Sequence, residues 1–276
     1  MIKRVLVGLG GTPFTTVATQ CATELANLHQ AQLTGVTVVD TGKMANVGPV
    51  PAGAGVYAER LREKKRRVTQ EGIEQAISAF KAHCGAQKVV CRRITYEKED
   101  PFAALISEAR YNDLTIFGLR SIFEYGFTTD PDMAIIKLLT QGVRPILAVA
   151  ENYRSIRKAL IAYSGSMESA KAIRHFLHLK PWSDITLHIV HFRKKSEEGK
   201  LLIRDAADFC QAHGFEVQTD LLDGDARSDL LPFARQIDAD LIVMGNSVQN
   251  ALIRRLLGDT VLECIKTADR PLFLSQ

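Results

Sequence analysis

Arg4-Val5-Leu6-Val7-Gly8-Leu9-Gly10-Gly11-Thr12 and Lys158-Ala159-Leu160-Ile161-Ala162-Tyr163-Ser164-Gly165-Ser166 carry the same pattern twice in one chain. Each is an apolar strand running into a small-residue turn, closed by a hydroxyl suited to cap a helix. Gly11 and Gly165 lie 154 positions apart. Two further blocks recur in the same order. Asp113-Leu114-Thr115-Ile116-Phe117-Gly118 matches Asp240-Leu241-Ile242-Val243-Met244-Gly245 at an offset of 127. Arg144-Pro145-Ile146-Leu147-Ala148-Val149 matches Arg270-Pro271-Leu272-Phe273-Leu274-Ser275 at 126. Three ordered repeats mark an internal duplication. The fall in offset after the first block places extra sequence in the first half, between its opening turn and its fourth strand.

Between the blocks, hydrophobic periodicity alternates between helix and strand. Thr15–His29 carries a helical stripe, Gln32–Val39 is short and β-branched, and Val56–Cys84 is a long charged helix. Lys88–Thr95 reads as a strand, and Pro101–Arg110 opens with proline at a first helical position. The second half predicts helices near 167–178, 197–213, 227–237 and 258–268, with strands at 184–192, 215–222, 240–245 and 271–275. Alternation of this kind gives right-handed crossovers and a parallel sheet covered on both faces. The fold class is therefore α/β: two domains, 1–151 and 152–276, each a five-stranded parallel sheet sandwiched by helices. The closing strands Pro145–Val149 and Pro271–Ser275 are expected to meet, because edge strands carry unpaired backbone groups that a two-fold partner satisfies. That contact makes twin sandwiches into an internal pseudo-dimer; pairing of whole chains into a homodimer is left open.

Composition sets the outer limits. The chain has 276 residues, 46% hydrophobic and 24% charged, with a formal net charge of +4, which argues against disorder. No apolar run approaches the roughly 20 residues needed to cross a bilayer. The opening MIKRVLVGLGG reads as a strand and turn rather than a signal peptide. Five cysteines without C-x-x-C spacing suit free thiols in a reducing cytoplasm. A pI near 8.8 permits anionic ligands without calling for nucleic acid.

The strand-turn VLVGLGGT, the block DGDARSDLLPFARQIDADLIVMG and the ending RRLLGDTVLECIKTADRPLFLS resemble the universal stress protein family in its tandem two-domain form. The resemblance covers nearly the whole chain and is tightest from Leu221 onward. It implies a flavodoxin-like (adenine nucleotide alpha hydrolase-like) sandwich in each half, a cytoplasmic role in stress resistance and, in one branch of the family, bound ATP.

The family's nucleotide signature is G-x-x-G, nine residues, then G-S or G-T. Glycines admit phosphates close to backbone N–H groups, and a helix N-terminus adds a favourable dipole. Gly245 matches the first glycine; Val248 stands at the second; nine residues separate it from Gly258; Asp259 then takes the hydroxyl position, with Thr260 one place late. In the first half, Gly118-Leu119-Arg120-Ser121 lacks the second glycine, and Asp130-Pro131-Asp132 replaces the later pair. The aspartate that ATP-binding members carry after the first strand is Gly10 in one half and Ser164 in the other. Two readings of the second-half cleft stand side by side. In one, Gly245, Asn246, Ser247, Gly258 and Thr260 cradle phosphates of ATP, with magnesium as counter-ion and Phe192 near the base. In the other, both glycines serve backbone geometry alone.

Remaining features favour plain readings. Thr41–Gly55, rich in Gly, Pro and Ala, reads as a solvent loop before it reads as a lid. Arg60–Arg67 holds six basic residues among eight, spread over more than one helical face; a solvated helix is favoured over an acidic-partner, nucleic-acid or membrane contact. His175 and His178 lack a third ligand, so no metal site is expected. His188 and His191 point to opposite faces of a strand. Cys91 is expected to be buried packing. No acid, base and nucleophile come together, so catalytic residues are none and no cofactor is required. The expectation is a non-catalytic stress-response, signalling or scaffold protein with an unknown protein partner and at most one adenine-nucleotide site; the alternative is an ATP-dependent switch or weak ATPase using the second-half cleft.

Overall fold

Among the described residues the sequence builds eighteen elements in the order β1 (Arg4–Gly8), α1 (Pro13–His29), β2 (Gln32–Asp40), α2 (Gly55–Ala86), β3 (Cys91–Lys98), α3 (Pro101–Ala109), β4 (Leu114–Gly118), α4 (Asp132–Thr140), β5 (Ile146–Val149), β6 (Lys158–Ala162), α5 (Met167–Leu179), β7 (Thr186–Phe192), α6 (Glu197–Ala212), β8 (Glu216–Leu222), α7 (Ala226–Gln236), β9 (Leu241–Gly245), α8 (Asp259–Thr267) and β10 (Leu272–Ser275). These come from a computed structural model that describes residues 1–40, 55–98, 101–119, 132–143, 145–193, 196–245 and 258–275. Of the segment Thr41–Gly55, read as a solvent loop before a lid, residues 41–54 lie outside them and Gly55 opens α2.

The strands form a ten-stranded sheet in the order β3-β2-β1-β4-β5-β10-β9-β6-β7-β8. Each half therefore uses the same order, third-second-first-fourth-fifth, and pairs its strands in parallel. The seam is antiparallel: Leu272 faces Ala148, Phe273 faces Leu147 and Leu274 faces Ile146. The closing strands meet as expected, but they fuse the two sheets into one hydrogen-bonded whole rather than leaving separate sandwiches. The cause is that β5 and β10 would otherwise each present a bare edge. Because the seam is antiparallel, the carboxyl ends of the two halves' strands point to opposite edges of the sheet.

Alternating side chains supply two cores. Val5, Val7, Ala159, Ile161, Leu241, Val243, Leu147 and Phe273 face α1, α2, α5 and α6. Leu6, Leu160, Ile242, Met244, Ile146, Leu272 and Leu274 face α3, α4, α7 and α8. This is the period of 2 expected of strands covered on both faces. At the seam, Phe176 of α5 stands edge-on to Phe273, ring centres 5.1 Å apart.

The duplication extends to single hydrogen bonds. Asp113 Oδ2 accepts from the backbone N–H groups of Lys3 and Arg4 at 2.7 and 2.9 Å. Asp240 Oδ2 accepts from those of Arg157 and Lys158 at 2.9 and 3.0 Å. Both carboxylates pin the start of their half's first strand to the start of its fourth. Gly11 and Gly165 both adopt positive φ, 67° and 79°, a conformation glycine enters without a Cβ penalty.

One boundary moves. The strand expected from Lys88 begins at Cys91. Lys88 takes φ 55°, its N–H donates to the Gly85 carbonyl, and Val89 N–H donates to the Cys84 carbonyl. Helix closure thus consumes the residues that composition assigned to the strand.

Candidate functional site

In each half the chain's winding reverses between the first and fourth strands, and such a switch point opens a crevice at the strands' carboxyl ends. In the second half that crevice is bounded by the turn after β6, the ends of β7 and β9, and the start of α8. Gly165 turns the chain so that Ser166 caps α5, its side chain accepting from Ser169 N–H at 3.2 Å. Ser164 donates to Ser166 Oγ at 2.9 Å and lies 3.2 Å from Ser169 Oγ. A neutral hydroxyl cluster therefore occupies the place where the family resemblance implies an aspartate.

The two glycines of the sequence motif differ in kind. A Cβ on Gly245 would meet the Glu168 carbonyl oxygen at 2.5 Å, its carbon at 2.6 Å and Ser169 N at 2.7 Å. The end of β9 thus packs directly on the backbone of α5's first turn, which accounts for Gly245 without a ligand. Gly258 is the N-cap of α8 at φ −55°, ψ 145°, conformations open to any residue, and none of the described residues lies within 4 Å of its Cβ position. Neither backbone strain nor packing by the described residues accounts for that glycine. Asp259 is exposed and Thr260 half-buried in the first helical turn. The first intrahelical bonds run from Val261 and Leu262 N–H to the Gly258 carbonyl, so the earlier amides face outward from the helix start.

Phe192 ends β7 at this same edge, half-buried, its ring edge-on to Phe233 at 6.3 Å. That ring belongs first to the core beneath α7. Asn246 and Ser247 lie outside the described residues, as does Val248. Next to Gly245 in the register is the fully buried Ser275. It shares a 2.7 Å hydrogen bond with His175 Nδ1, and burial, aided by His178, lowers the His175 pKa. His178 instead meets the His213 ring at 5.8 Å, so the two histidines do not converge. Among the described residues no group of three His, Cys, Asp or Glu side chains could hold a metal ion.

At the opposite edge, the first half offers Gly10, Gly11 and Thr12, whose N–H donates to Thr15 Oγ1 at 3.0 Å. Asp130 and Pro131 lie outside the described residues. Arg60, Arg62, Lys64, Arg66 and Arg67 are exposed on α2; Arg62 reaches Glu59 at 3.2 Å and Arg67 reaches Glu71 at 3.7 Å. His188, bonded to Asp220 at 2.7 Å and beside Phe233, and His191, bonded to the Tyr163 carbonyl at 2.7 Å, lie on opposite faces as expected. Cys21, Cys84, Cys210 and Cys264 are buried free thiols, but Cys91 is partly exposed, because it opens the outermost strand of the first half.

One functional group had no signal in the sequence. Glu24 on α1 accepts from Trp182 Nε1 at 2.9 Å and from the Tyr153 hydroxyl at 2.8 Å. The same carboxylate thus ties the first half to the connector and to the second half. Burial first, and Glu24 next, push the Tyr153 phenol above its ordinary pKa and so keep it a donor.

With this geometry in view, comparison with known proteins gives one family. The Universal stress protein family matches residues 1–117 and 193–275, and the chain belongs to that family. Universal stress protein Slr1230 of Synechocystis is 23% identical over 130 residues, 46% of this chain and 45% of its own length, so the chain spans under half of that relative. Universal stress protein MJ0531 of Methanocaldococcus jannaschii is 25% identical over 43% of this chain and 81% of its own. Among solved structures, a universal stress protein from Archaeoglobus fulgidus superposes with a TM-score of 0.65 at 17% identity, covering 100% of this chain and 96% of that one. Protein PA1789 of Pseudomonas aeruginosa gives 0.62 at 18% identity, over 99% and 92%. The fold is accordingly the flavodoxin-like α/β sandwich, present twice. No helix among the described residues is long and apolar enough to cross a membrane.

Proposed function

We propose that this chain is a tandem universal stress protein of the cytoplasm, with its domains divided between residues 151 and 152. It acts without catalysis in stress response, as a signalling or scaffold component. It takes at most one adenine nucleotide, at the carboxyl edge of the second half. The site residues are Phe192, Gly245, Asn246, Ser247, Gly258 and Thr260. The observation that carries this reading is Gly258: an N-cap glycine with ordinary dihedrals and, among the described residues, nothing within 4 Å of where a side chain would begin. Residues 258–260 fit a phosphate, since the first amides of α8 face outward and its dipole favours negative charge. Asp259 opposes a triphosphate at close range, so binding of ATP calls for a divalent cation such as magnesium to screen it. ATP would supply charge for a conformational signal, while the hydroxyl cluster of Ser164, Ser166 and Ser169 orients the β6 turn.

Equilibrium dialysis of the full chain with ATP, with and without magnesium, tests the reading. Gly258→Val is expected to abolish binding by crowding the phosphates, whereas Gly118→Val leaves it intact. Absence of binding at millimolar ATP would remove the nucleotide from the proposal, and turnover to ADP would replace the non-catalytic role with that of an ATPase.

A further inference from the structure

The helices that join the second and third strands of each half, α2 and α6, hold equal places in the duplication and lie on one face of the sheet, yet they carry opposite charge. Gly55–Glu71 of α2 holds six basic residues against three acidic, and Glu197–Ala212 of α6 holds four acidic against two basic. Both helices also leave apolar side chains in water. On α2, Tyr57 is 71% and Val68 55% exposed, and with Leu61 and Lys64 they recur every three or four residues. The helical period turns that stripe away from Ile73, Ile77, Phe80 and Cys84, which α2 buries. Exposed Arg60 and Arg67 border it. On α6, Leu201 is 49% and Phe209 37% exposed, with exposed Asp205 and Asp208 between them, turned away from buried Ile203, Ala206 and Cys210. Part of each charge is met locally: Arg62 reaches Glu59 at 3.2 Å, Arg67 reaches Glu71 at 3.7 Å, Lys200 reaches Glu197 at 2.7 Å and Arg204 reaches Asp205 at 3.0 Å. The excess on each helix remains. One chain does not bring its own two helices together, because six strands stand between β2 and β7, a separation of more than about 30 Å.

We propose that α2 of one molecule docks on α6 of a second copy of this chain, apolar stripe against apolar stripe, with arginine and lysine beside aspartate and glutamate. Complementary charge selects that pairing, since α2 on α2, or α6 on α6, would set like charges together. The α2 stripe from Tyr57 to Val68 is about 17 Å long. One helix-on-helix contact of that length buries too little to hold alone. A two-fold axis makes the contact twice, which brings the area toward the roughly 1,000 Å² at which specific interfaces begin. The dimer is therefore weak, and salt screens the charges that hold it. It goes beyond the nucleotide reading and needs no nucleotide.

Sedimentation equilibrium of the full chain at up to about 100 μM, in about 50 mM and about 500 mM salt, tests the interface. The expected result is a dimer whose dissociation constant rises about tenfold in the higher salt. The double variants Arg60→Glu with Lys64→Glu, and Asp205→Lys with Asp208→Lys, change exposed side chains only. Each is expected to be monomeric, with its urea midpoint unchanged. Mixed in equal amounts they are expected to regain the dimer, because an acidic α2 then meets a basic α6 at one contact and a basic α2 meets an acidic α6 at the other. Val68→Ser is expected to weaken the wild-type dimer about tenfold without altering its salt dependence. The proposal is overturned by a wild-type monomer across this range, by a dimer that both charge variants keep, by a mixture that stays monomeric, or by growth beyond two chains. A monomeric wild type that sediments with phosphatidylserine vesicles would overturn it too, and would assign the basic helix to an anionic membrane surface.

Discussion

Asp113 and Asp240 hold the same place in the two halves and make the same pair of backbone hydrogen bonds. Gly11 and Gly165 make the same left-handed turn. At the carboxyl edges the likeness ends: the second half starts its last helix with Gly258, and the first half has Pro131 and Asp132 there. Duplication has kept what strand pairing needs in both copies. The glycine on which the proposed nucleotide site rests is present in one. The struts at the amino ends and the turn after each half's first strand are thus alike for stability, while the start of the last helix, at the carboxyl ends where open α/β sheets place their ligands, was free to diverge.

The sharpest way to break this comparison uses the two glycines of the second-half edge. Gly245→Ala drives a methyl into the backbone of Glu168 and Ser169, and backbone cannot step aside as a side chain can. A loss of about 3 kcal/mol is expected in urea unfolding. Gly258→Ala meets none of the described residues within 4 Å, and its effect on stability is expected within about 0.5 kcal/mol, while nucleotide binding falls. Equal stability losses in the two variants would show that Gly258 is a structural glycine and would take away the support for the proposed pocket.

The paired aspartates give the next largest effect. Asp113→Ala and Asp240→Ala each remove two charge-assisted hydrogen bonds to backbone amides, and each is expected to cost about 2 kcal/mol. Near-equal values, measured as shifts in urea midpoint at constant slope, would confirm that the halves share this strut energetically. A strongly unequal pair would show that one half folds with less dependence on it. Glu24→Ala tests the seam rather than either half. Trp182 and Tyr153 lose their shared acceptor, and a loss of about 1 kcal/mol is expected.

Much of this was legible in the residues. Small residues after an apolar strand, aspartate before another, and Arg-Pro before the last announced the duplication, and edge-strand chemistry announced that the closing strands would meet. The fusion into one sheet followed from the same chemistry carried one step further. The site was legible only as spacing: the motif marked Gly245 and Gly258 alike, and only three-dimensional packing separates a glycine pressed on α5 from one that meets none of the described residues within 4 Å. Glu24, Tyr153 and Trp182 were illegible because they are 129 and 158 positions apart. A carboxylate at a seam has no local pattern.

The smallest effect concerns a group that only the second half possesses. Arg270 is buried, donating to the carbonyls of Ala234 and Ala239 at 2.8 and 2.6 Å and to Asp269 at 2.9 Å. Asp269 also accepts from Arg235 at 3.0 Å. The position 126 residues before Asp269 is Val143, buried and without charge, whereas Arg270 is matched by Arg144, so the carboxylate is what the first half lacks. The Arg270 guanidinium foremost, with Arg235 assisting, holds the Asp269 carboxyl well below the usual carboxylate range. A folded-state pKa below the unfolded one contributes stability that is present above the ordinary aspartate pKa, and that contribution is lost as pH falls through the depressed value. Asp269 is 46% exposed, so solvent screening limits the contribution to under about 1 kcal/mol at neutral pH. Asp269→Asn is therefore expected to be slightly less stable than wild type at pH 7, with the gap closing below about pH 4. Val143→Asp would bury an unpaired carboxyl in the first half and produce the opposite slope, stability recovering as acid neutralises it. A gap for Asp269→Asn that is constant with pH would show that Arg270 is held by the two carbonyls alone, and the halves would then be alike in their response to acid as well.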